Sequence, residues 1–182
     1  MNRVLALLLL VLLSPLFVVV GLAIYLEDGA PVFFVQKRVG KDYSFFSLYK
    51  FRTMKKNTPN VATHLLDNPK QYLLGLGGLL RKLSLDELPN LINIVRGEMV
   101  FVGPRPALHN QEDLMALRLA AGVEKQMPGI TGWAQINGRD SISLEEKVAL
   151  EKHYLDNQSL ALNLKILWRT LFKVAGDKTV SH

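Results

Sequence analysis

VLALLLLVLLSPLFVVVGLAIYL, residues 4–26, is an almost unbroken apolar run of 23 residues. As one continuous helix it would be about 34 Å long, enough to cross a bilayer. Three readings compete. A cleaved signal peptide has a shorter apolar core and a small-residue cleavage site; this run is too long, and Ala30 is followed at once by Pro31. A straight span is the default, but Ser14-Pro15 stands at the middle, where Pro15 removes one backbone bond and crowds the carbonyl of Val11. Proline is tolerated in spanning helices, so the break alone does not choose. Charge does. Arg3 lies on one flank and Lys37, Arg38, Lys41, Lys50, Arg52, Lys55 and Lys56 on the other, and both flanks favour the cytoplasm. A helix broken at Ser14-Pro15 can dip into one leaflet and return, leaving both flanks on that face. The expected organisation is therefore a re-entrant membrane element over 1–28, followed by a cytoplasmic, membrane-associated body over 29–182.

That body belongs to a chain of 182 residues, long enough for one domain with a real core. The absence of cysteine excludes disulfides, zinc–thiolate sites and thiol nucleophiles. The four histidines show no paired metal-ligand spacing. The formal charge is +6, and Arg3 is the sole charged residue of the first 26, so nearly all of the excess lies in the body. Such a balance calls for an anionic partner, either phosphate-bearing substrate, lipid headgroups or nucleic acid.

Along the chain, 27–31 reads as a turn, 32–35 as a short strand and 40–42 as a turn. From Phe45 to Met54 the pattern alternates, placing Phe46, Leu48, Lys50, Arg52 and Met54 on one face of a strand. The two cations there either lay their stems flat with heads in water or point at an anion. Residues 57–68 are polar and read as a loop. Residues 71–83 form a Leu-rich helix candidate, suited to a lipid interface or to the core. Met99 to Val102 reads as a strand, 107–121 as an amphipathic helix stopped by Gly122, and 128–139 as a Gly-rich loop carrying Trp133 and Gln135. Trp133 suits stacking on a base or a place at the headgroup level. Residues 143–157 form a helix with a Ser143…Glu146 capping box. Residues 160–175 form another, with Lys165, Arg169 and Lys173 on one stripe and Leu164, Leu167, Trp168, Leu171 and Phe172 opposite. That helix fits an anionic membrane surface or a cover for the core. The pattern as a whole is α/β in the α+β sense: helix-rich, with a small sheet.

The chemistry concentrates at Ser84-Leu85-Asp86-Glu87-Leu88-Pro89-Asn90. Ser84 with Glu87 three residues later reads as a capping box, and Leu83 with Leu88 as a hydrophobic staple. Asp86 would then lie in a first helical turn, kept ionised by the helix dipole and by Arg81 and Lys82. Pro89 stands too deep for a first-turn proline and would cost the bond to Leu85. An ordinary capped helix also places acids there. Gly103-Pro104-Arg105-Pro106 fixes the backbone around one guanidinium, as suits bidentate grasp of a phosphate or an exposed loop.

These stretches, taken in order with Gln36-Lys37-Arg38-Val39-Gly40, Tyr49-Lys50-Phe51-Arg52-Thr53-Met54, Pro128-Gly129-Ile130-Thr131-Gly132-Trp133-Ala134-Gln135 and Asn137-Gly138-Arg139, resemble the bacterial sugar transferase family. These are the monotopic phosphoglycosyl transferases, and the resemblance runs to about Trp168. It implies a re-entrant helix-break-helix at the bacterial inner membrane, with the catalytic body and interfacial helices on the cytoplasmic face. It implies an undecaprenyl-phosphate sugar-1-phosphate transferase, moving a phosphosugar from a UDP-sugar to polyprenyl phosphate with release of UMP. Such a reaction initiates a capsule, O-antigen, exopolysaccharide or glycoprotein glycan. Asp86 is then the expected nucleophile, forming a covalent phosphosugar-enzyme. Glu87 is expected to help hold Mg²⁺ with Asp86 or to take a proton from the lipid phosphate. Lys50, Arg52, Arg105 and Arg139 are expected on phosphate oxygens. Glu151 and Asn163 depart from the family, which has aspartates there. A non-catalytic basic module bound to membrane lipids or a partner protein is the alternative, and no nucleic-acid motif is present.

Overall fold

The structure, a computed structural model, describes residues 2–59, 68–138 and 142–176. The apolar run folds as two helices. α1 (Asn2–Leu12) and α2 (Ser14–Asp28) meet at Leu13 with their axes bent by 62°. Pro15 has no N–H for the Val11 carbonyl, and the Ser14 hydroxyl donates to that oxygen instead, at 2.8 Å. The break therefore leaves no orphaned acceptor at Val11. No single helix among the described residues is long and apolar enough to cross a membrane.

The inner faces of the pair belong to the core of the body. Ala6, Leu9, Leu10 and Leu13 pack on Phe46, Leu48, Leu91, Ile94 and Met99. Leu16, Phe17, Val20 and Ile24 pack on Phe51, Leu74 and Leu80. Both ends are fastened as well. The Arg3 guanidinium lies against Gly97, so close that a Cβ there would overlap it. At the other end Asp28 pairs with Arg52, and Glu27 Oε1 accepts the Gly75 N–H at 2.6 Å. The outer faces, with Leu8, Val11, Leu12, Val18, Val19, Leu22 and Leu26, stay exposed.

β1 (Phe33–Val39) and β2 (Phe45–Phe51) form an antiparallel hairpin in register from Phe33↔Phe51 to Val39↔Phe45, closed by a 3₁₀ turn at Lys41–Tyr43. β1 outlasts the strand expected at 32–35 because β2 offers partners to Gln36, Lys37 and Arg38, whose polarity hides a strand from sequence. Phe46 and Leu48 face the core as the alternation predicts. The strand ends at Phe51, one further rung joining Arg52 N to the Val32 carbonyl at 2.9 Å.

The helix expected over 71–83 is reduced to α3 (Gly77–Lys82), preceded by a 3₁₀ turn at Pro69–Tyr72. Gly77 sits against the Thr53 carbonyl where a Cβ would overlap that oxygen, so the chain is drawn onto the end of the hairpin there. Leu80 is buried while Leu76, Leu79 and Leu83 are exposed. A 3₁₀ turn at Leu85–Glu87 leads to α4 (Asn90–Arg96).

β3 (Val100–Val102) pairs in parallel with β4 (Gly129–Thr131), so the described residues hold two two-stranded sheets where one small sheet was expected. β4 lies within the stretch read as a Gly-rich loop; a three-residue strand carries no period and exists only through its partner. Between them runs α5 (Glu112–Ala121), ended by Gly122 at φ 73° as its sequence predicts. α6 (Trp133–Asn137), α7 (Leu144–Asp156) and α8 (Leu160–Gly176) complete a helix-rich α+β fold. The expected capping box of α7 is present, with Ser143 Oγ accepting from Glu146 N and Glu146 Oε2 from Ser143 N. α8 buries Ile166 and exposes Leu160, Leu164, Trp168, Leu171 and Phe172. Most of the loop expected at 57–68 lies outside the described residues, as does Arg139.

Candidate active site

Asp86 and Glu87 lie on the 3₁₀ turn between α3 and α4, and the local geometry differs from the capping box read in the sequence. Ser84 has φ 54°, in the left-handed region, and its side chain caps nothing. A non-glycine residue held there stores about 1–3 kcal/mol of strain. Pro89 is equally recast: it precedes α4 at φ −61°, and the chain changes from 3₁₀ to α-helix around it. Its missing N–H falls where the two ladders meet, so the bond to Leu85 is not a loss within one helix.

Freed from the cap, Glu87 turns to the basic residues. Its Oε1 accepts from Lys50 Nζ of β2 at 2.7 Å and from Arg105 Nη2 at 3.1 Å. Burial alone would raise its pKa, but the Lys50 and Arg105 charges and hydrogen bonds overcome that and hold the carboxyl well below the usual range. Asp86 moves the other way. Burial raises it above its ordinary value, helped by the negative charge of Glu87 and opposed by Lys50 and Arg81. The expected depression by a helix dipole is thus overturned: a single 3₁₀ turn supplies little aligned dipole, and desolvation outweighs it. Arg81 is held beside it by a hydrogen bond from Nε to Thr53 Oγ1 at 2.9 Å.

A cleft opens at this point, lined by Arg38, Lys50, Glu87, Asn90, Arg105 and Pro106 among others. Arg38 and Asn90 received no site role from sequence. Arg38 lies on β1 and donates to Gln36 Oε1 at 2.6 Å and to the Pro106 carbonyl at 3.0 Å. Burial, and then the neighbouring Arg105 charge, bring its guanidinium down to about 10 against the pull of Glu87. Asn90 is buried and its Oδ1 has no hydrogen-bond partner. A buried oxygen without a donor costs about 1–3 kcal/mol, which a ligand can return.

Of the expected site residues, Lys50, Asp86, Glu87 and Arg105 come together. Arg52 does not join them. Its guanidinium, buried just past the end of β2, pairs with Asp28 and donates to the carbonyls of Pro31 and Gly29. Trp133 is half-buried, its ring 5.7 Å from that of His153 with Lys165 Nζ over its face at 5.6 Å. Glu151 is 2% exposed and paired with Arg118, and Asn163 Oδ1 accepts from Tyr154 at 2.7 Å.

Two adjacent acids among partly buried cations, on a body carrying a bent apolar helix pair, define a phosphate-handling protein with an apolar outer surface. The family described as bacterial sugar transferase matches residues 1–177, and the chain belongs to it. An uncharacterized sugar transferase of Bacillus subtilis, EpsL, is 45% identical over 157 residues, covering 86% of this chain and 76% of its own. The UDP-glucose:undecaprenyl-phosphate glucose-1-phosphate transferase of Escherichia coli is 38% identical over 178 residues, covering 93% of this chain and 38% of that protein. The UDP-N-acetylgalactosamine-undecaprenyl-phosphate N-acetylgalactosaminephosphotransferase of Aeromonas hydrophila is 33% identical, covering 88% and 39%.

Proposed function

We propose that this chain transfers a phosphosugar from a UDP-sugar to polyprenyl phosphate through a covalent intermediate on Asp86. The observation that carries this reading is the Lys50–Glu87–Arg105 cluster beside a half-buried Asp86. A site built to hold a diphosphate needs fixed cations and a nucleophile that water does not solvate, and burial supplies the second. An Asp86 carboxylate oxygen attacks the β-phosphorus, an O–P bond forms, and the bond to the α–β bridging oxygen breaks. UMP leaves with that electron pair. A phosphate oxygen of the lipid then attacks the same phosphorus, breaks the Asp86–phosphorus bond and restores the carboxylate. Arg105, Lys50 and Arg38 hold the phosphate oxygens. Glu87, kept anionic by its two cations, is a poor base; its role is to fix Lys50 and Arg105, and proton transfer suits it badly.

The donor set fits Mg²⁺. Ions of this kind are bound by one or two carboxylates together with substrate phosphates; Glu87 and the orphaned Asn90 Oδ1 line the cleft, Asp86 precedes Glu87 in the chain, and all three are hard oxygen donors. Among the described residues no cluster of three or more His, Asp or Glu is arranged as an all-protein cage, so the proposed ion would need substrate phosphates to complete its shell. Such an ion supplies charge neutralisation between the Asp86 carboxylate and the pyrophosphate.

The setting we propose is the inner membrane, with the body on the cytoplasmic face and residues 1–28 re-entrant. The 62° bend, the exposed apolar outer faces and the attachment of both helix ends to one body support it. A non-catalytic membrane module would account for that surface but not for the Lys50–Glu87–Arg105 cluster. The test is mass spectrometry after mixing enzyme, Mg²⁺ and a panel of UDP-sugars without lipid. A phosphosugar adduct on Asp86, removed by polyprenyl phosphate and missing in Asp86→Asn, is the expected result. Sequential kinetics with no adduct would make direct displacement the better account.

A further inference from the structure

The Gly103–Pro106 segment that carries Arg105 has an unusual mode of attachment. Pro104 and Pro106 have no N–H to give, so the segment is held chiefly through its carbonyls. Four in succession are taken by four donors. Pro104 O accepts from Gly129 N at 2.8 Å, Arg105 O from Arg118 Nη2 at 2.8 Å, Pro106 O from Arg38 Nη1 at 3.0 Å and Ala107 O from Val39 N at 3.0 Å. The donor at Arg105 itself is a buried side chain. Arg118, on α5, is 7% exposed and forks onto Glu151 of α7, with Nη2 to Oε1 at 2.6 Å and Nε to Oε2 at 2.8 Å. The same Nη2 spends its second hydrogen on the Arg105 carbonyl.

We infer that the buried Arg118–Glu151 pair is a positioning device for Arg105, setting the backbone from which that guanidinium reaches the phosphate cleft. The inference rests on Arg105 as a phosphate-binding residue. A buried ion pair is by itself weak evidence for stability, because desolvation offsets most of its Coulomb gain. This pair has a second product: a carbonyl fixed at the residue whose side chain meets Glu87. Glu151 fixes the plane of the Arg118 fork, and the fork aims its remaining N–H. Lysine at 118 would keep the charge opposite Glu151, but an ammonium cannot reproduce a planar fork with a third directed donor. Glu151 reaches the fork from α7, accepting from both Nε and Nη2 of Arg118.

The test is a double-mutant cycle read as affinity for UDP, by calorimetry on the full chain in nanodiscs. The variants are Arg118→Lys, Arg105→Ala and their combination. Residues acting through one another are non-additive. Arg118→Lys alone is expected to weaken UDP about tenfold, and less than about twofold further in the Arg105→Ala background. Equal losses in the two backgrounds overturn the inference and leave the phosphate role of Arg105 standing. A lowered unfolding midpoint with unchanged UDP affinity overturns it also, since that is what a purely structural pair would give. If Arg105→Ala binds UDP as the parent does, the phosphate reading fails first and this one with it. Arg118→Met combined with Glu151→Leu guards against misfolding, because apolar replacement of a whole buried pair is often neutral or stabilising. A folded double variant must also bind UDP more weakly.

Discussion

Asp86 and Glu87 are neighbours in the chain, and their surroundings push them in opposite directions. The consequence for stability follows from which state holds the proton more tightly. Asp86 titrates higher in the folded chain, so its contribution is lost as pH rises from the ordinary carboxylate range through the raised value. Asp86→Asn should therefore raise the unfolding midpoint at neutral pH, with the gain vanishing in acid below the ordinary range. Glu87 titrates lower when folded, so its contribution is present above the ordinary range and lost as pH falls toward the depressed value. Glu87→Gln should cost about 3 kcal/mol at neutral pH, as expected when a buried ion pair loses one partner. Thermal melts of both variants across the acid range check the two signs together. A melt in which Asp86→Asn destabilises at neutral pH would mean that Lys50 and Arg81 outweigh burial. The same balance predicts that Arg105→Lys loses activity beyond what its retained charge suggests, read in UMP release, since a point charge replaces a fork.

Two segments with one motif show how far local sequence reaches among the elements. Ser84…Glu87 and Ser143…Glu146 have the same spacing, and only the second forms the box. α7 is 13 residues long, and among the described residues Glu146 is hydrogen-bonded to Ser143, so the cap forms where the motif predicts it. At Ser84 the chain is turned by α3 and α4 into one 3₁₀ turn, and Lys50 and Arg105 outbid the backbone for Glu87. Ser143→Ala should accordingly cost about 1 kcal/mol, the usual value of an N-cap. Ser84→Ala should change stability by less than about 0.5 kcal/mol, because no cap is lost. Denaturant midpoints in one detergent compare the pair directly, and equal losses would restore the cap at Ser84.

For the molecule, the decisive feature is that the apolar helix pair is part of the body's core and is tied to it at both ends. Arg3 lies on Gly97 at the end of α4, and Asp28 on Arg52 at the end of the hairpin. The two ends of a helix pair, when fastened to one body, belong on one side of a membrane. A tag at the amino terminus and a second inserted after Val39 should therefore both be cytoplasmic, as read by labelling of intact and permeabilised cells. Replacing Ser14 by Ala and Pro15 by Leu returns a backbone donor to the Val11 carbonyl and lets the helix straighten, so the amino-terminal tag should then move to the outer face. Tags on opposite faces in the parent chain would exclude the dip.

What could be read along the chain was whatever depends on neighbours a few residues apart. The break at Ser14-Pro15, the stop at Gly122 and the cap at Ser143 follow from proline, glycine and serine acting locally. The acids at 86 and 87 and the cations at 50 and 105 stood out because their residue types suit phosphate chemistry. Folding then sorted those candidates by long-range pairing. Lys50 and Arg52 share a strand face by alternation, yet they meet different elements beyond the hairpin; one cation reaches Glu87 and the other turns to Asp28. Arg38 enters the cleft because β1 pairs three residues beyond its apolar part, and Arg118 meets Arg105 because α5 lies between Glu151 and the segment after β3. Asp86 carries a raised rather than a lowered proton affinity because burial is a property of everything packed around a group, and no spacing along the chain records it.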